Sequence, residues 1–254
     1  MKRIKTYVIN LPHAVVRRKY MEELLSSKDI FDVEFLEAVD GRNLTDNERR
    51  NCFDYDSCVR LIGRELNDGE VGCTLSHRKA YAALLASEYD YAIVFEDDIS
   101  FMRNPESLVS LDLDSVLITE TPRVVMLSGD YWFWSKGKIV SVYDCNGAYA
   151  YIINRAAAGL LLSRPACCVS DQWSHYKTYG LDIKAVHPYI VDANLSMDLL
   201  SSDVEQDTWG INRRRMDIRA IIDSYVAAIL RRTLKMTGHF ESKIRVLHNK
   251  IVEN

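Results

Sequence analysis

The chain has 254 residues, of which 48% are hydrophobic and 27% are charged, and its formal net charge is −4. The composition excludes a largely disordered chain and is ordinary for a protein with one large domain, or one domain with an appendage. The negative net charge argues against a nucleic-acid partner.

The hydrophobic pattern of the first forty residues predicts a β-α-β unit. Residues 6–11 have the composition of a strand that Pro12 ends, residues 14–27 have a helical pattern, and residues 33–36 alternate as a second strand. Asp40 and Gly41 form a turn signal. Such a unit begins a parallel sheet.

Further strands and helices follow along the chain. Helices are predicted at residues 45–55, 70–87 and 155–163, and strands at 91–95, 123–128, 139–143, 148–153 and 185–191. Pro188 has no amide hydrogen, so we expect the last of these strands at a sheet edge. The predicted fold class is α/β, with a mostly parallel sheet flanked by helices.

The C-terminal region differs from the rest in charge and pattern. Ten basic and three acidic residues lie between Arg213 and Lys250, so this segment carries about +7. We therefore divide the chain into a body, residues 1–210, and a basic helical region, residues 211–254. The apolar stripe predicted for its helix comprises Ile218, Ile221, Ile222, Tyr225, Ile229 and Met236. Such a helix can lie on an anionic membrane surface, or it can pack its stripe on the body.

The cysteines and the N-terminus indicate the compartment. The six cysteines form no Cys-x-x-Cys pair, and no histidine cluster has zinc-finger spacing. The apolar run at residues 7–9, behind a basic start, is too short for a signal peptide, and no stretch approaches the length of a membrane span. We expect a reduced, cytoplasmic protein.

The strongest functional signal is an apolar strand, residues 91–95, that runs directly into Glu96, Asp97 and Asp98. Ligands of open α/β sheets bind outside the carboxyl ends of the strands. Three adjacent carboxylates repel one another, so a divalent cation or a basic group is expected among them. The alternative interpretation is a solvated acidic loop or a helix N-cap.

Four segments together carry a resemblance to a known family. They are Y-V-I-N-L at residues 7–11 with R-R at 17–18, A-V-D-G at 38–41, G-E-V-G-C-T-L-S-H at 69–77, and I-V-F-E-D-D-I at 93–99. In this order they resemble glycosyltransferase family 25, which includes bacterial lipooligosaccharide β-galactosyltransferases and collagen galactosyltransferases. Val71 stands where the family usually has Ile, and Phe95 where it has Leu. The resemblance covers residues 4–175.

The resemblance implies a GT-A-like (Rossmann-like) fold and an inverting transfer of a hexose from a UDP-sugar to a saccharide. The implied donor is UDP-galactose, the acceptor a lipid-linked oligosaccharide of lipooligosaccharide or lipopolysaccharide, and the linkage β-1,4. The implied cofactor is Mn²⁺ or Mg²⁺, because a divalent cation offsets the charge that develops on the leaving diphosphate. Together with the basic tail, this suggests a peripheral enzyme at the inner face of the cytoplasmic membrane.

Two other functions stay open, and the oligomeric state is not predicted. One is another metal-dependent phosphoryl or nucleotidyl transferase, which would also carry clustered carboxylates at a strand end. The other is a non-catalytic membrane-surface binding protein with a degenerate transferase fold.

The resemblance also assigns nucleotide and metal residues. Glu96 and Asp98 are expected at the metal, with His187 as a further ligand, and Glu96 or Asp97 near the ribose. Asn10 and Leu11 are expected near the uracil, Arg17 or Arg18 at a phosphate or a neighbouring carboxylate, and Asp40 at the uracil or ribose. The alternatives are a solvated helix face for the arginines, a simple turn for Asp40 and a buried structural role for His187.

An inverting transferase also needs a general base that deprotonates the acceptor hydroxyl. Asp171 is the first candidate, with Trp173 as a platform for sugar stacking. Glu70 and Asp203 are the alternatives. His77 shares a helix face with Glu70, and a buried structural role is the simpler interpretation for it.

Overall fold

The computed structural model describes residues 3–194 and 216–241. Its strands are β1 (Ile4–Asn10), β2 (Phe31–Glu37), β3 (Tyr91–Glu96), β4 (Ile99–Phe101), β5 (Arg123–Met126), β6 (Tyr131–Phe133), β7 (Ile139–Cys145), β8 (Ala150–Asn154), β9 (Asp182–Val186), β10 (Val191–Ala193) and β11 (Phe240–Glu241). Its α-helices are α1 (Val15–Ser26), α2 (Asp46–Cys52), α3 (Tyr55–Ile62), α4 (Asp68–Ala86), α5 (Leu113–Leu117), α6 (Arg155–Leu162), α7 (Trp173–Thr178) and α8 (Ile218–Met236). Two 3₁₀ turns cover Gly41–Asn43 and Pro105–Ser110.

Within the described ranges, one large sheet has the strand order β11-β6-β7-β9-β5-β8-β3-β1-β2. Strands β1, β2, β3, β5, β9 and β6 run in one direction, and β8, β7 and β11 run against them. Strand β10 pairs with β4 in a separate antiparallel ladder. The predicted α/β fold with a mostly parallel sheet is therefore confirmed, and its antiparallel strands lie beyond β3.

The central strand β3 is buried on both faces. Ala92 and Val94 point into the core that α4 and α6 cover, whereas Ile93 and Phe95 point into the core that α1 covers. All four side chains are fully buried. Covering both faces explains why this strand is a continuous apolar run rather than an alternating one.

The helix predicted at residues 45–55 is two helices. Thr45 and Glu48 form a capping box at the start of α2, but the chain is extended at Phe53, and Asp54 caps a new helix, α3. Phe53 is buried in a small core of its own and forms a bridge to Ala166. Burial of this one aromatic side chain therefore overrides the helical pattern.

The strand predicted at residues 185–191 is also wrong in extent and position. Strand β9 begins at Asp182, ends at Val186 and lies between β5 and β7, inside the sheet rather than at an edge. Pro188 lies in the loop that leads to β10, where it removes no ladder hydrogen bond.

Helix α8 rests on the body through few side chains. The Asp217 amide donates to the Arg60 carbonyl, Arg231 lies 3.4 Å from Asp144, and β11 extends the large sheet beyond β6. Of the predicted stripe, Ile221 is partly buried. The exposed members are Ile218, Ile222, Tyr225, Ile229 and Met236. In the described residues no helix is both long and apolar enough to cross a bilayer.

The boundary expected between residues 210 and 211 lies outside the described residues, as do Arg213, Arg214 and Arg215.

Candidate active site

A cavity of about 370 Å³ lies at the carboxyl ends of β1 and β3. Ile9 of β1 is in register with Glu96 of β3, so the residues that follow both strands emerge at the same edge of the sheet. The opposite wall is formed by residues 38–42 and by the first half of α4. Of the predicted site residues, the cavity is lined by Leu11, Arg17, Asp40, Glu96, Asp97 and Asp98.

Two glycines hold the loop of Asp40 tightly against α4. A Cβ atom on Gly41 would lie 1.8 Å from the Asp68 carbonyl oxygen, and one on Gly72 would lie 2.5 Å from that of Val39. No side chain fits at such distances, so glycine at both positions permits the close backbone approach. The Val39 amide also donates to the Ser76 hydroxyl at 2.8 Å. The A-V-D-G and E-V-G-C segments are thus two sides of one contact.

The acidic triplet is held by groups from β1 and α1. Asn10 Nδ2 donates to Asp97 at 2.7 Å, and Arg17 Nη1 donates to Asp97 at 2.9 Å and to Asp98 at 3.2 Å. Burial raises the pKa of Asp97, although the hydrogen bonds from Asn10 and Arg17 oppose the rise. A basic group therefore lies among the carboxylates, as their mutual repulsion requires.

Glu96 belongs to a hydrogen-bonded chain that runs into the core. Its carboxylate lies 3.2 Å from His77 Nε2, His77 Nδ1 lies 2.8 Å from the Tyr151 hydroxyl, and that hydroxyl donates to Tyr81 at 3.0 Å. His77 is 1% exposed and is one of the residues that line the cavity. The chain fixes the direction of the Glu96 carboxylate, because each member is oriented by the next.

Asp171 lies on the loop before α7 and is not among the residues that line the cavity. Its carboxylate accepts from the Gly147 amide at 3.3 Å. Burial raises its pKa, with a further contribution from the negative charge of Glu96. Trp173 is fully buried, and its indole donates to the Gly147 carbonyl at 2.8 Å. The sugar-stacking role expected for Trp173 is therefore wrong, since no face of its ring is accessible.

Several predicted residues lie away from the cavity. Both oxygens of Glu70 bind the Arg64 guanidinium, at 2.6 and 2.7 Å, and one also accepts from the Asn67 amide as part of the α4 capping box. Arg18 pairs with Glu22 and stacks on Phe35.

His187 lies at the other end of the large sheet. Its imidazole contacts the Tyr131 hydroxyl at 3.0 Å and the rings of Tyr131 and Phe133, and it faces Glu241 at 3.6 Å. It does not line the cavity with Asp98. Asp203 lies outside the described residues.

The residues of the cavity lining that sequence reasoning missed include Arg42, Cys73, Tyr149 and Ala193. Cys73 lies four residues before His77, and this helical spacing was a usable signal because such residues share a face. Tyr149 and Ala193 carried no signal, because they reach the cavity through the pairing of β3 with β8 and of β4 with β10.

The cavity has the donor atoms of a divalent-cation site. Glu96 and Asp98 offer carboxylate oxygens, which Mn²⁺ and Mg²⁺ prefer. Cys73, His77 and Glu96 each have a potential ligand atom within 4.8 Å of the others. Burial raises the pKa of the Cys73 thiol, with Glu96 adding to the rise, and a sulfur ligand is softer than Mn²⁺ or Mg²⁺ prefers. The carboxylates therefore fit the expected cofactor better than the thiol does.

Comparison with known proteins identifies relatives of the part of the chain that forms the cavity. A model of glycosyltransferase family 25 (LPS biosynthesis protein) matches residues 3–129, half of the chain. A putative glycosyltransferase of Haemophilus influenzae is 30% identical over 42% of this chain and 36% of its own length. Procollagen galactosyltransferase 2 of Mus musculus is 28% identical over 54% of this chain and 26% of its own length. The chain thus spans well under half the length of these two relatives.

Comparison with solved structures gives matches of low sequence identity and low TM-score, among them these two. A putative glucose-1-phosphate thymidylyltransferase from Bacillus anthracis is 9% identical, with a TM-score of 0.42 over 84% of this chain and 99% of that one. A galactosyltransferase in complex with donor and acceptor sugar analogues is 12% identical, with a TM-score of 0.32 over 85% of this chain and 84% of that one.

Proposed function

This chain belongs to glycosyltransferase family 25, and we propose that it transfers a hexose from a UDP-sugar to a saccharide, with inversion at the anomeric carbon. The observation that carries the proposal is the cavity at the ends of β1 and β3, lined by three carboxylates of one motif and by Arg17. A sugar nucleotide with a divalent cation needs such groups at one sheet edge. The volume of about 370 Å³ falls within the range of roughly 300–1,000 Å³ of small-molecule sites.

In the proposed site, Glu96 and Asp98 hold Mn²⁺ or Mg²⁺. When bound, the ion supplies Lewis-acid stabilisation to the negative charge of the leaving diphosphate. Asp97 is a positioning residue, because its hydrogen bonds with Asn10 and Arg17 tie the acidic triplet to β1 and α1. Arg17 also lines the cavity, from which its guanidinium can attract a phosphate.

Leu11 and Asp40 are the proposed contacts of the nucleoside. Leu11 offers an apolar surface at the end of β1, and Asp40 offers a carboxylate to a ribose hydroxyl or to the uracil N–H. The Arg42 guanidinium fixes the Asp40 carboxylate through two hydrogen bonds, at 2.9 and 3.0 Å. Those bonds lower the pKa of Asp40 and keep it an acceptor.

Asp171 is the proposed general base. Its burial raises its pKa, and a carboxylate of higher pKa takes a proton from an attacking hydroxyl more readily. The preceding residue, Ser170, lies 3.3 Å from the sulfur of Cys73, which lines the cavity. Glu70 is a poorer candidate because Arg64 occupies both of its oxygens.

We propose galactose as the transferred sugar, in β-1,4 linkage, and a lipid-linked oligosaccharide of lipooligosaccharide or lipopolysaccharide as the acceptor. The relatives named procollagen galactosyltransferase support the choice of sugar, and the family description as an LPS biosynthesis protein supports the acceptor.

The proposed location is the anionic inner face of the cytoplasmic membrane, reached through α8. The side chains of Ile218, Ile229 and Met236 are 77%, 67% and 79% exposed, and Arg219 and Arg232 are also exposed on this helix. An apolar face with basic neighbours suits a surface of anionic lipid.

UDP release from a panel of UDP-sugars tests the reaction class. Wild-type protein is assayed with Mn²⁺ and with a chelator, beside Asp98→Asn and an Asp112→Asn control on the N-cap of α5. We expect metal-dependent turnover of UDP-galactose that Asp98→Asn lowers at least 100-fold, while the control retains it.

The outcome separates the alternatives. Turnover of nucleoside triphosphates in place of sugar nucleotides would instead favour a phosphoryl or nucleotidyl transferase. Absence of both turnover and Mn²⁺-dependent UDP binding would overturn the proposal.

Sedimentation with anionic vesicles tests the membrane contact separately. The double variant Ile222→Ser/Ile229→Ser should pellet less than wild type and keep its turnover of soluble acceptors. Val16→Ser removes an apolar side chain of α1 that is 70% exposed, and should pellet like wild type. Equal pelleting of all three proteins would contradict the membrane role of α8.

A further inference from the structure

A second cluster of potential metal ligands lies outside the cavity, between α6 and α7. Cys167 and Cys168 are adjacent in the chain, and both are buried. His175 lies on α7, eight residues after Cys167. One ligand atom from each of the three lies within 4.8 Å of the other two. The cluster has neither a Cys-x-x-Cys pair nor zinc-finger spacing, so the sequence does not indicate it. A turn of the backbone brings the imidazole to the sulfurs.

The distance between one sulfur and the imidazole suits a tetrahedral ion. Cys167 Sγ lies 3.7 Å from His175 Nε2. Two ligands with Zn–S and Zn–N bonds of ~2.3 and ~2.05 Å at a tetrahedral angle lie roughly 3.6 Å apart. The Tyr179 hydroxyl is 2.6 Å from the same Nε2 and 3.8 Å from the same Sγ, so it is a hydrogen-bond partner of the imidazole in this structure.

The cluster combines burial with polar neighbours. Cys167 and Cys168 are buried, and the His175 imidazole and the Tyr179 hydroxyl both lie near the Cys167 sulfur. A thiolate is the form of cysteine that binds metal, and a cation that binds thiols releases their protons.

We propose that Cys167, Cys168 and His175 bind Zn²⁺ or a divalent ion of similar softness, with water as the fourth ligand. Two sulfurs and one imidazole are a donor set for zinc rather than for Mg²⁺ or Mn²⁺. The site is distinct from the carboxylates of the cavity in both position and donor chemistry.

A bound ion would brace the loop that carries Asp171, a consequence that rests on the proposed function. The loop is already held to α4, since Thr74 Oγ1 donates to the Cys168 carbonyl at 3.2 Å and Cys73 Sγ lies 3.3 Å from Ser170 Oγ. The ion would also link Cys167, before Asp171, to His175, which follows it on α7. The loop would then be held on both sides of Asp171.

Cobalt substitution tests the site without reference to catalysis. Full-length protein, stripped of metal under reducing conditions, is titrated with Co²⁺ and followed by sulfur-to-cobalt charge-transfer absorption, and bound Zn²⁺ is counted by elemental analysis. We expect one equivalent with thiolate absorption in wild type. We expect at least tenfold weaker binding, with loss of that absorption, in Cys167→Ser and His175→Asn.

Two cysteine variants serve as controls. Cys52→Ser alters an exposed thiol and should leave the titration unchanged, and Cys73→Ser shows whether the cavity cluster is responsible. Absence of thiolate–cobalt absorption in wild type, or its loss in Cys73→Ser alone, would overturn the proposal.

Wild type provides a second measurement if a variant does not fold. Zn²⁺ should slow alkylation of Cys167 and Cys168, located by mass spectrometry, at least tenfold relative to Cys52. Equal protection of all three cysteines would refute the site. Loss of UDP-sugar turnover with an intact cobalt site would count against the proposed function alone.

Discussion

Arg17 should contribute much more to stability than its neighbour Arg18, because it neutralises two carboxylates. Its side chain is 12% exposed, and those of Asp97 and Asp98 are 10% and 13% exposed. Removing one partner of a buried ion pair lowers the free energy of unfolding by about 3 kcal/mol at the lower end of the usual range. For a domain of this size, Arg17→Gln should therefore lower the melting temperature by roughly 6–12 °C.

Arg18→Gln is the matched control on the same helix. Arg18 and Glu22 are each 50% exposed, and the Arg18 guanidinium lies 4.4 Å from the Phe35 ring centroid. An exposed i,i+4 pair with one cation–π contact contributes about 1 kcal/mol, or roughly 2–4 °C. Both variants remove one positive charge, so a general charge effect would shift both equally.

The pH dependence gives the prediction a second test. Burial raises the folded-state pKa of Asp97, so its protonated form stabilises the fold below the unfolded pKa, and this contribution is lost as pH rises through the folded pKa. Without Arg17 that pKa rises further. The deficit of Arg17→Gln should therefore be largest at neutral pH and should shrink toward about pH 4, the ordinary value for aspartate.

Thermal melts of both variants, monitored by circular dichroism between pH 4 and pH 8, make the comparison. Equal melting temperatures of the two variants at neutral pH would refute the role given to Arg17. A deficit independent of pH would show that the loss is one of packing rather than of charge.

The cation site, the proposed base and a buried amide of β8 can each be tested by one variant. Mn²⁺ should raise the melting temperature of Arg17→Gln more than that of wild type, because the guanidinium that competes with the ion for Asp98 is gone. An equal rise in both proteins would show that Arg17 and the ion do not share this carboxylate. Asp171→Asn should lower turnover by about 100-fold or more. The acidic limb of the wild-type kcat/KM profile should lie above the usual aspartate range, because burial raises the pKa of Asp171, and a limb at the usual value would argue for another base. Asn154→Leu should lower the free energy of unfolding, measured by urea denaturation, by at least about 3 kcal/mol. The buried Asn154 amide bonds to five backbone groups, and its removal leaves them unsatisfied. A smaller loss would mean that water replaces the amide.

The sequence by itself determined the local features of the site. Apolar runs bounded by Pro12 and by the acidic triplet located β1 and β3, because a strand buried on both faces must be apolar throughout. The topology rule for open sheets then located the site at their carboxyl ends. The capping box of α2 was also readable, since its partners are three residues apart.

Only the tertiary structure decided which side chains meet. Arg17 and Asp97 are 80 residues apart in the chain, and no spacing rule brings them together. No spacing rule shows the partner of Glu70 either. Glu70 shares a helix with His77, but its carboxylate binds Arg64, six residues earlier. Trp173 and His187 are chemically suitable for a sugar site, but burial and sheet order put both out of reach of the cavity.

The cluster of Cys167, Cys168 and His175 could not be predicted from the sequence for the same reason. Cysteine and histidine reveal a metal site in sequence only where the ligands follow a known spacing, whereas here the fold of the loop before α7 sets the distance between sulfur and imidazole. Composition and periodicity fix which segments are buried and where strands end, because those depend on neighbours along the chain. Contacts between side chains depend on packing across the whole domain, and a one-dimensional pattern does not contain that information.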